Sequence, residues 1–202
     1  MANNRQQKWE TRYANASASA SASTKLEPTT LLVQHKHLLP ASGQALDLAC
    51  GLGDSALWLA QQGFNVSAWD FSANAISLLQ KRASKLQLSI NSEQKDAFEL
   101  VNYKNSFDVI VVRRFLERAL CDDIAQALKP NGLLFYETFN ENKLKESHKM
   151  NSAFVLKHGE EQQLFSRLHF RYFYALSPKN LQIPPPKGML SNSSYMIMQK
   201  TG

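Results

Sequence analysis

Asp47 and Asp70 stand at the ends of short apolar runs and Asp96 comes after a weaker one, and the first of them opens the stretch Asp47-Leu48-Ala49-Cys50-Gly51-Leu52-Gly53. Gly51 and Gly53 permit a tight turn and let a ligand come close to the backbone. The free amides of the helix that follows favour an anionic or polar group. Ionised carboxylates only accept hydrogen bonds, so acids at successive strand ends suit a ligand that offers an ammonium group, a ribose diol and an exocyclic amine. A Gly-x-Gly pair taken alone is a weak signal; the placement of the acids sharpens it. Taken singly, Asp70 reads as a turn acid opening a helix and Asp96 as an ordinary helix cap.

Such acids need a parallel sheet to bring them to one edge, and the periodicity supplies one. Strands are predicted at residues 45–49, 64–69, 88–92, 107–112 and 133–139, alternating with helices at 54–62, 74–86 and 122–128. Pro130-Asn131-Gly132 reads as a turn into the fifth strand. A helix near 159–167, strands at 169–175 and 194–199 and a Pro-rich loop at 184–186 follow, and the last two strands suggest an antiparallel pair closing the sheet. The expected fold is α/β, Rossmann-like and doubly wound: a mostly parallel seven-stranded sheet with a C-terminal antiparallel strand pair and helices on both faces. Upstream, residues 6–14 read as an amphipathic helix with Trp9, Arg12 and Tyr13, residues 15–24 as a flexible Ala/Ser tether, and the residues from Leu31 to Pro40 as a further helix. The 202 residues are read as a single domain, with 1–14 as an N-terminal helix or lid and 25–202 as the core.

S-adenosylmethionine carries the ammonium, the diol and the amine together. Residues 46–75 (LDLACGLGDSALWLAQQGFNVSAWDFSANA) resemble the first and second motifs of class I S-adenosylmethionine-dependent methyltransferases, as do FDVIVV from Phe107, LKPNGLL from Leu128 and YETF from Tyr136. Trp9-Glu10-Thr11-Arg12-Tyr13 is similar to the N-terminal segment of bacterial tellurite-resistance-type small-molecule methyltransferases. The resemblance implies that Asp47, Ala49, Gly51 and Gly53 surround the methionine part of the cofactor, with Ala49 in place of the commoner first glycine. It implies that Asp70 holds the ribose hydroxyls, that Phe71 lies against adenine, and that Asp96, Ala97 and Phe98 address the adenine edge. Trp9 and Tyr13 could fold over the cofactor as a lid or simply staple the first helix to the body. The relaxed dinucleotide fingerprint Gly51-x-Gly53-x-x-Ala56 with Asp70 is the rival reading; Asp47 before the turn and the closing antiparallel strands disfavour it.

Methyl transfer from a sulfonium is a displacement in which alignment and exclusion of water do most of the work. Arg113 and Arg114 end the fourth strand, near the reactive end of the cofactor, and Arg114 is the candidate to position an anionic acceptor. Alternation places one of the two toward solvent. His158 lies in a segment, 151–160, that resembles a family loop usually written with Pro at that position; it could act as a base, or be a solvated loop histidine. Tyr136, Phe139 and Asn140 are further lining candidates, with core packing as the plain alternative.

The expected reaction is transfer of a methyl group to a small molecule, an anion, thiol or metalloid oxyanion, leaving S-adenosylhomocysteine. A non-catalytic S-adenosylmethionine-binding sensor or scaffold stays open, because function belongs to the acceptor site rather than the fold. Methylation of RNA or protein fits the net charge of +6, but the basic residues are scattered and Arg113-Arg114-Phe115-Leu116 stands where an Asn-Pro-Pro-Tyr-type motif would be. Neither a metal site nor a disulfide framework is expected from Cys50 and Cys121. The chain lacks an apolar run of roughly eighteen residues and an apolar leader at its start, so a cytoplasmic protein without membrane partners is expected.

Overall fold

A computed structural model describes residues 2–15, 25–147, 150–175 and 185–202. The Ala/Ser stretch read as a tether lies, from residue 16, outside the described residues, as does Pro184.

Seven strands form one sheet: β1 Gln44–Leu48, β2 Asn65–Asp70, β3 Asn91–Gln94, β4 Phe107–Arg113, β5 Leu128–Phe139, β6 Leu168–Tyr174 and β7 Ser193–Lys200, in the order β3-β2-β1-β4-β5-β7-β6. The first five run parallel, and β7 lies antiparallel between β5 and β6. The helices are α1 Ala2–Asn15, α2 Thr30–Gln34, α3 Asp54–Gln61, α4 Ala73–Lys85, α5 Cys121–Ala127, α6 Asn142–Glu146 and α7 Glu160–Leu164.

Alternation along the strands sorts the core into two layers. Ala45, Val66, Val109, Val111, Phe135 and Ile197 meet Leu31, Leu57, Leu59 and Leu79 from α2, α3 and α4. Leu46, Trp69, Ile110, Val112, Tyr136 and Met198 meet Cys121, Ile124 and Phe165 on the other face. Period-two alternation carries the same parity to the strand ends, so Asp47, Asp70, Arg113 and Glu137 all fall on the face covered by α2, α3 and α4.

Several boundaries differ from the sequence reading. The helix expected from Leu31 to Pro40 ends at Gln34, where His35 leaves helical geometry and a 3₁₀ turn, Lys36–Leu38, follows. β3 is Asn91–Gln94 rather than 88–92, because Leu86 caps α4, Gln87 turns through a positive φ of 55° and Leu88 is still tied back to Ala83. β5 begins at Leu128: Phe107 pairs with Leu128 and Val109 with Leu133, so Pro130-Asn131-Gly132 is a bulge inside the strand rather than a turn before it. Asn131 takes φ 65° there, and Pro130, with no N–H to give the ladder, is exposed. α7 stops at Leu164, as Phe165 leaves helical geometry to pack against Tyr136.

Candidate functional site

β1 ends on Asp47, and the chain turns through Ala49, Gly51 and Gly53, each with positive φ (56°, 56° and 73°), before α3 begins at Asp54. The turn is closed from two sides. Asp47 Oδ2 accepts the Ala56 N–H at 3.0 Å, inside the first turn of α3. Asp70 Oδ2 accepts the Gly51 N–H at 2.8 Å, while its Oδ1 accepts Ser72 N–H at 2.9 Å. Arg82, a buried guanidinium on α4, holds the back of the loop: Nη1 donates to Leu52 O at 2.7 Å, and Nη2 donates to Asp54 Oδ1 at 2.7 Å and Lys25 O at 3.3 Å.

Asp47 and Asp70 are both buried. Burial pushes the Asp47 carboxyl well above the usual carboxylate range; the Ala56 N–H opposes this, while repulsion from Asp70 and Asp54 adds to it and Arg113 offsets a small part. Asp70 is raised by burial as well, against hydrogen bonds from Ser72 and Gly51 and with the charge of Glu10 adding to the rise. Burial and the same two acids raise the Cys50 thiol, which keeps it protonated and a poor nucleophile.

These two acids are rich in acceptors and poor in compensating cations. A carboxylate has about four lone-pair sites; Asp47 is given one N–H bond, and Asp70 two close ones with the Phe71 N–H also turned toward it. A ligand bringing an ammonium and hydroxyl donors meets both needs, so the donor set fits S-adenosylmethionine. Gly51 adds the close approach, since a Cβ built on it would lie 2.7 Å from Tyr13 Oη.

Tyr13 reaches that point from α1. Burial first, then the charge of Asp70, raises its phenol. Trp9 stacks on Tyr13 with ring centroids 6.2 Å apart, and the Arg12 guanidinium lies 5.1 Å over Trp9. One residue that sequence reasoning missed sits beside them: the Glu10 carboxylate accepts Ser72 Oγ at 2.8 Å, Ala73 N at 2.8 Å and Asn74 N at 3.1 Å at the start of α4. Partial desolvation works to raise its carboxyl, and the hydrogen bonds from Ser72, Ala73 and Asn74 outweigh it and hold the group below its ordinary value.

The residues assigned to the adenine end adjoin this cluster through the backbone: Phe71 follows Asp70, and Lys95, beside Asp96, donates its N–H to Asp70 O at 2.9 Å. Asp96 is exposed and accepts Phe98 N–H at 3.0 Å in a capping box with Glu99, at the head of the two-turn 3₁₀ helix Ala97–Asn102. Phe71 is half-buried and Phe98 exposed.

At the ends of β4 and β5 the two arginines share one buried acid. Glu137 Oε2 accepts the Thr29 hydroxyl at 2.6 Å and lies 3.2 Å from Arg113 Nε, within ion-pair distance though not aligned as a hydrogen bond. Arg113 Nη1 donates to Glu27 O at 2.8 Å. Arg114 takes φ 55°, donates its backbone N–H to Glu137 O, and leaves its guanidinium largely exposed, 3.9 Å from Glu137 Oε1 and 5.9 Å over the Phe139 ring. Glu137 falls inside the YETF stretch that carries the resemblance, yet nothing in the sequence pointed to its pairing with the arginines, and Thr29 carried no signal. His158 is exposed on the 151–160 loop; its backbone N–H donates to Glu141 Oε2 at 3.1 Å, and it lines a cavity of about 10 Å³ with Asn140, Glu161 and Ser194. Arg118 fastens that loop, giving Nε and Nη2 to Glu160 and Nη1 and Nη2 to the carbonyls of Ala153 and Val155.

The chain is similar over part of its length to known methyltransferases. Residues 45–132 match the methyltransferase-domain family. The chain is 30% identical over 124 residues to a putative methyltransferase, YqeM, of Bacillus subtilis, across 54% of this chain and 47% of that protein. It is 31% identical over 129 residues to TehB of Haemophilus influenzae, a probable S-adenosyl-L-methionine-dependent methyltransferase, across 52% of this chain and 45% of that one. The chain thus spans about half the length of the curated relatives it matches. A solved S-adenosylmethionine-dependent methyltransferase from Methanosarcina mazei shares the fold with a TM-score of 0.67 at 20% identity, over 83% of this chain and 97% of that one.

Proposed function

We propose that this chain, whose residues 45–132 match the methyltransferase-domain family, is a class I S-adenosylmethionine-dependent methyltransferase that transfers a methyl group from S-adenosylmethionine to a small-molecule acceptor. The observation that carries the reading is the pair of buried, under-compensated acids, Asp47 and Asp70, closed around a glycine turn that one of them holds by the Gly51 amide.

Asp47 and the turn from Ala49 to Gly53 would hold the amino-acid end of the cofactor, and Asp70 its ribose. The cofactor supplies, when bound, a methyl group on a positively charged sulfur. The protein's part is to align and to exclude water. Tyr13 covers the Gly51 side of the turn. Arg114, held in a left-handed turn by its bond to Glu137 O and with its guanidinium open, is placed to orient an anionic acceptor. An acceptor that is already a nucleophilic anion, thiolate or oxyanion needs no base, and no role is assigned to His158 beyond lining its small cavity. The partner is then a small molecule rather than a nucleic acid. Among the described residues no helix is long and apolar enough to cross a membrane, and with Cys50 and Cys121 both free we place the protein in the cytoplasm.

Calorimetric titration with S-adenosylmethionine and S-adenosylhomocysteine, on the wild type and on Asp70→Ala, tests the reading. Binding near micromolar, on the order of −8 kcal/mol, weakened at least about tenfold by the substitution, supports it and justifies an acceptor screen. Absence of binding to either ligand removes it and favours the dinucleotide reading. Tight binding with no acceptor methylated across the screen favours the sensor.

A further inference from the structure

The first turn of α4 has a complete set of acceptors, and two of its amides depend on another element. Ser72 N–H goes to Asp70, Ala75 N–H goes to Ser72 Oγ, and Ala73 and Asn74 N–H go to Glu10 on α1. α4 has no acid of its own in that turn, so Glu10 also provides the negative charge that a helix N-terminus favours. Asn74 Nδ2 donates back to Glu10 O at 3.2 Å, which fixes the α1 backbone as well as the side chain.

Glu10 and Tyr13 stand three residues apart on one helix, and such pairs share a face. Seating the carboxylate on α4 therefore sets where the phenol lands. The phenol lands on Gly51. Among the described residues α4 is the main element that α1 packs against, and Trp9, on the same side, remains 38% exposed. Ser72 joins the two halves of the site, giving its N–H to Asp70 and its hydroxyl to Glu10.

We propose that Glu10 is a positioning residue of the cofactor site, which docks α1 on the start of α4 and thereby holds Tyr13 over the glycine turn. The inference rests on the reading that this turn binds S-adenosylmethionine. It acts through Tyr13 and touches no reacting atom.

The test reads docking and binding separately, on the full chain. Amide hydrogen exchange without ligand follows α1 and the amides of Ala73 and Asn74 in the wild type, Glu10→Gln and Glu10→Ala. Exchange in these amides should accelerate strongly in Glu10→Ala and partly in Glu10→Gln, which keeps one acceptor oxygen, while the sheet amides stay as in the wild type and the melting temperature falls by no more than the few degrees that a lost helix cap costs. S-adenosylhomocysteine should bind about tenfold more weakly to Glu10→Ala, as expected if the docked fraction falls by that factor, and mostly through faster dissociation. Tyr13→Phe should weaken binding in the wild type and add nothing in Glu10→Ala, because an undocked helix no longer presents the ring. Unchanged α1 exchange in Glu10→Ala overturns the proposal. So does lost α1 protection with unchanged affinity, or additive effects of the two substitutions. A wild type that binds neither S-adenosylmethionine nor S-adenosylhomocysteine overturns the underlying reading and this role with it; the exchange data would then still report whether Glu10 docks α1.

Discussion

Tyr13 Oη stands 2.7 Å from the point a Cβ on Gly51 would occupy, closer than two such atoms can sit. The turn is thus sealed by a residue from the N-terminal helix, and room exists for it only because position 51 has no side chain. Gly51→Ala should push Tyr13 off the turn and add the left-handed penalty at φ 56°, costing about 1–2 kcal/mol by urea denaturation. S-adenosylhomocysteine binding should fall more than about tenfold by calorimetry. Tyr13→Ala in that background should recover the clash but not the backbone strain.

Ala49 has the same backbone conformation, φ 56°, with a Cβ in place. Ala49→Gly should therefore be neutral to stabilising, by up to about 1 kcal/mol, despite the greater freedom of the unfolded chain. Denaturation midpoints at constant slope would check it; a loss of stability would mean that the Ala49 methyl packs more tightly than its half-buried state suggests.

Arg82→Met should lose about 2–4 kcal/mol, because it leaves the carbonyls of Leu52 and Lys25 and the Asp54 carboxylate without their shared donor. Arg82→Lys should recover little, since one ammonium cannot serve acceptors spread across the fork of a guanidinium. Chemical denaturation of both variants decides the point.

Glu160→Gln should lower the global melting temperature by only several degrees, as this partly buried, two-pronged pair, 32% and 18% exposed, is worth about 1–2 kcal/mol. It should speed amide exchange in residues 153–160, which Arg118 holds through Glu160 and the carbonyls of Ala153 and Val155. Equal exchange in the two proteins would show that the carbonyl contacts alone fasten the loop.

The response to pH has opposite signs in two groups. Asp47 and Asp70 have folded pKa values raised by burial; above their unfolded value near 4 the folded state keeps protons that the unfolded chain releases, so their contribution to stability falls as pH rises. Glu160, held low by its Arg118 hydrogen bond, contributes stability that is lost as pH drops below about 4.5. An ammonium-bearing ligand stabilises the ionised forms of Asp47 and Asp70, so binding should release protons and tighten with rising pH. The melting shift caused by S-adenosylhomocysteine should widen as pH rises above the ordinary carboxylate value of about 4, and a constant shift would contradict it.

The sheet, the glycine turn and its two buried acids were legible because each is a local pattern: an apolar run, an acid, two glycines, then an amphipathic helix. Asp96-Ala97-Phe98-Glu99 carries its capping box just as openly, and the structure forms it. Arg82 left a trace, a charge three residues after Leu79 on the buried face of α4. Glu10 left none, since its partners lie more than sixty residues away, past a stretch with no periodicity. The start of β5 was misplaced because Pro-Asn-Gly reads as a turn in any single chain, and only pairing with β4 on one side converts it to a bulge.

The position of β7 bears on how the molecule is made. β6, rich in aromatic residues, has β7 as its neighbour in the sheet order, and β7 itself slots in beside β5. On a ribosome, β6 therefore emerges with no strand to pair with, and its row of free amides and carbonyls must wait until β7 has been synthesised. The half of the sheet carrying the glycine turn can assemble while this edge is still open. Chains stalled before residue 193 should be the ones that need a chaperone.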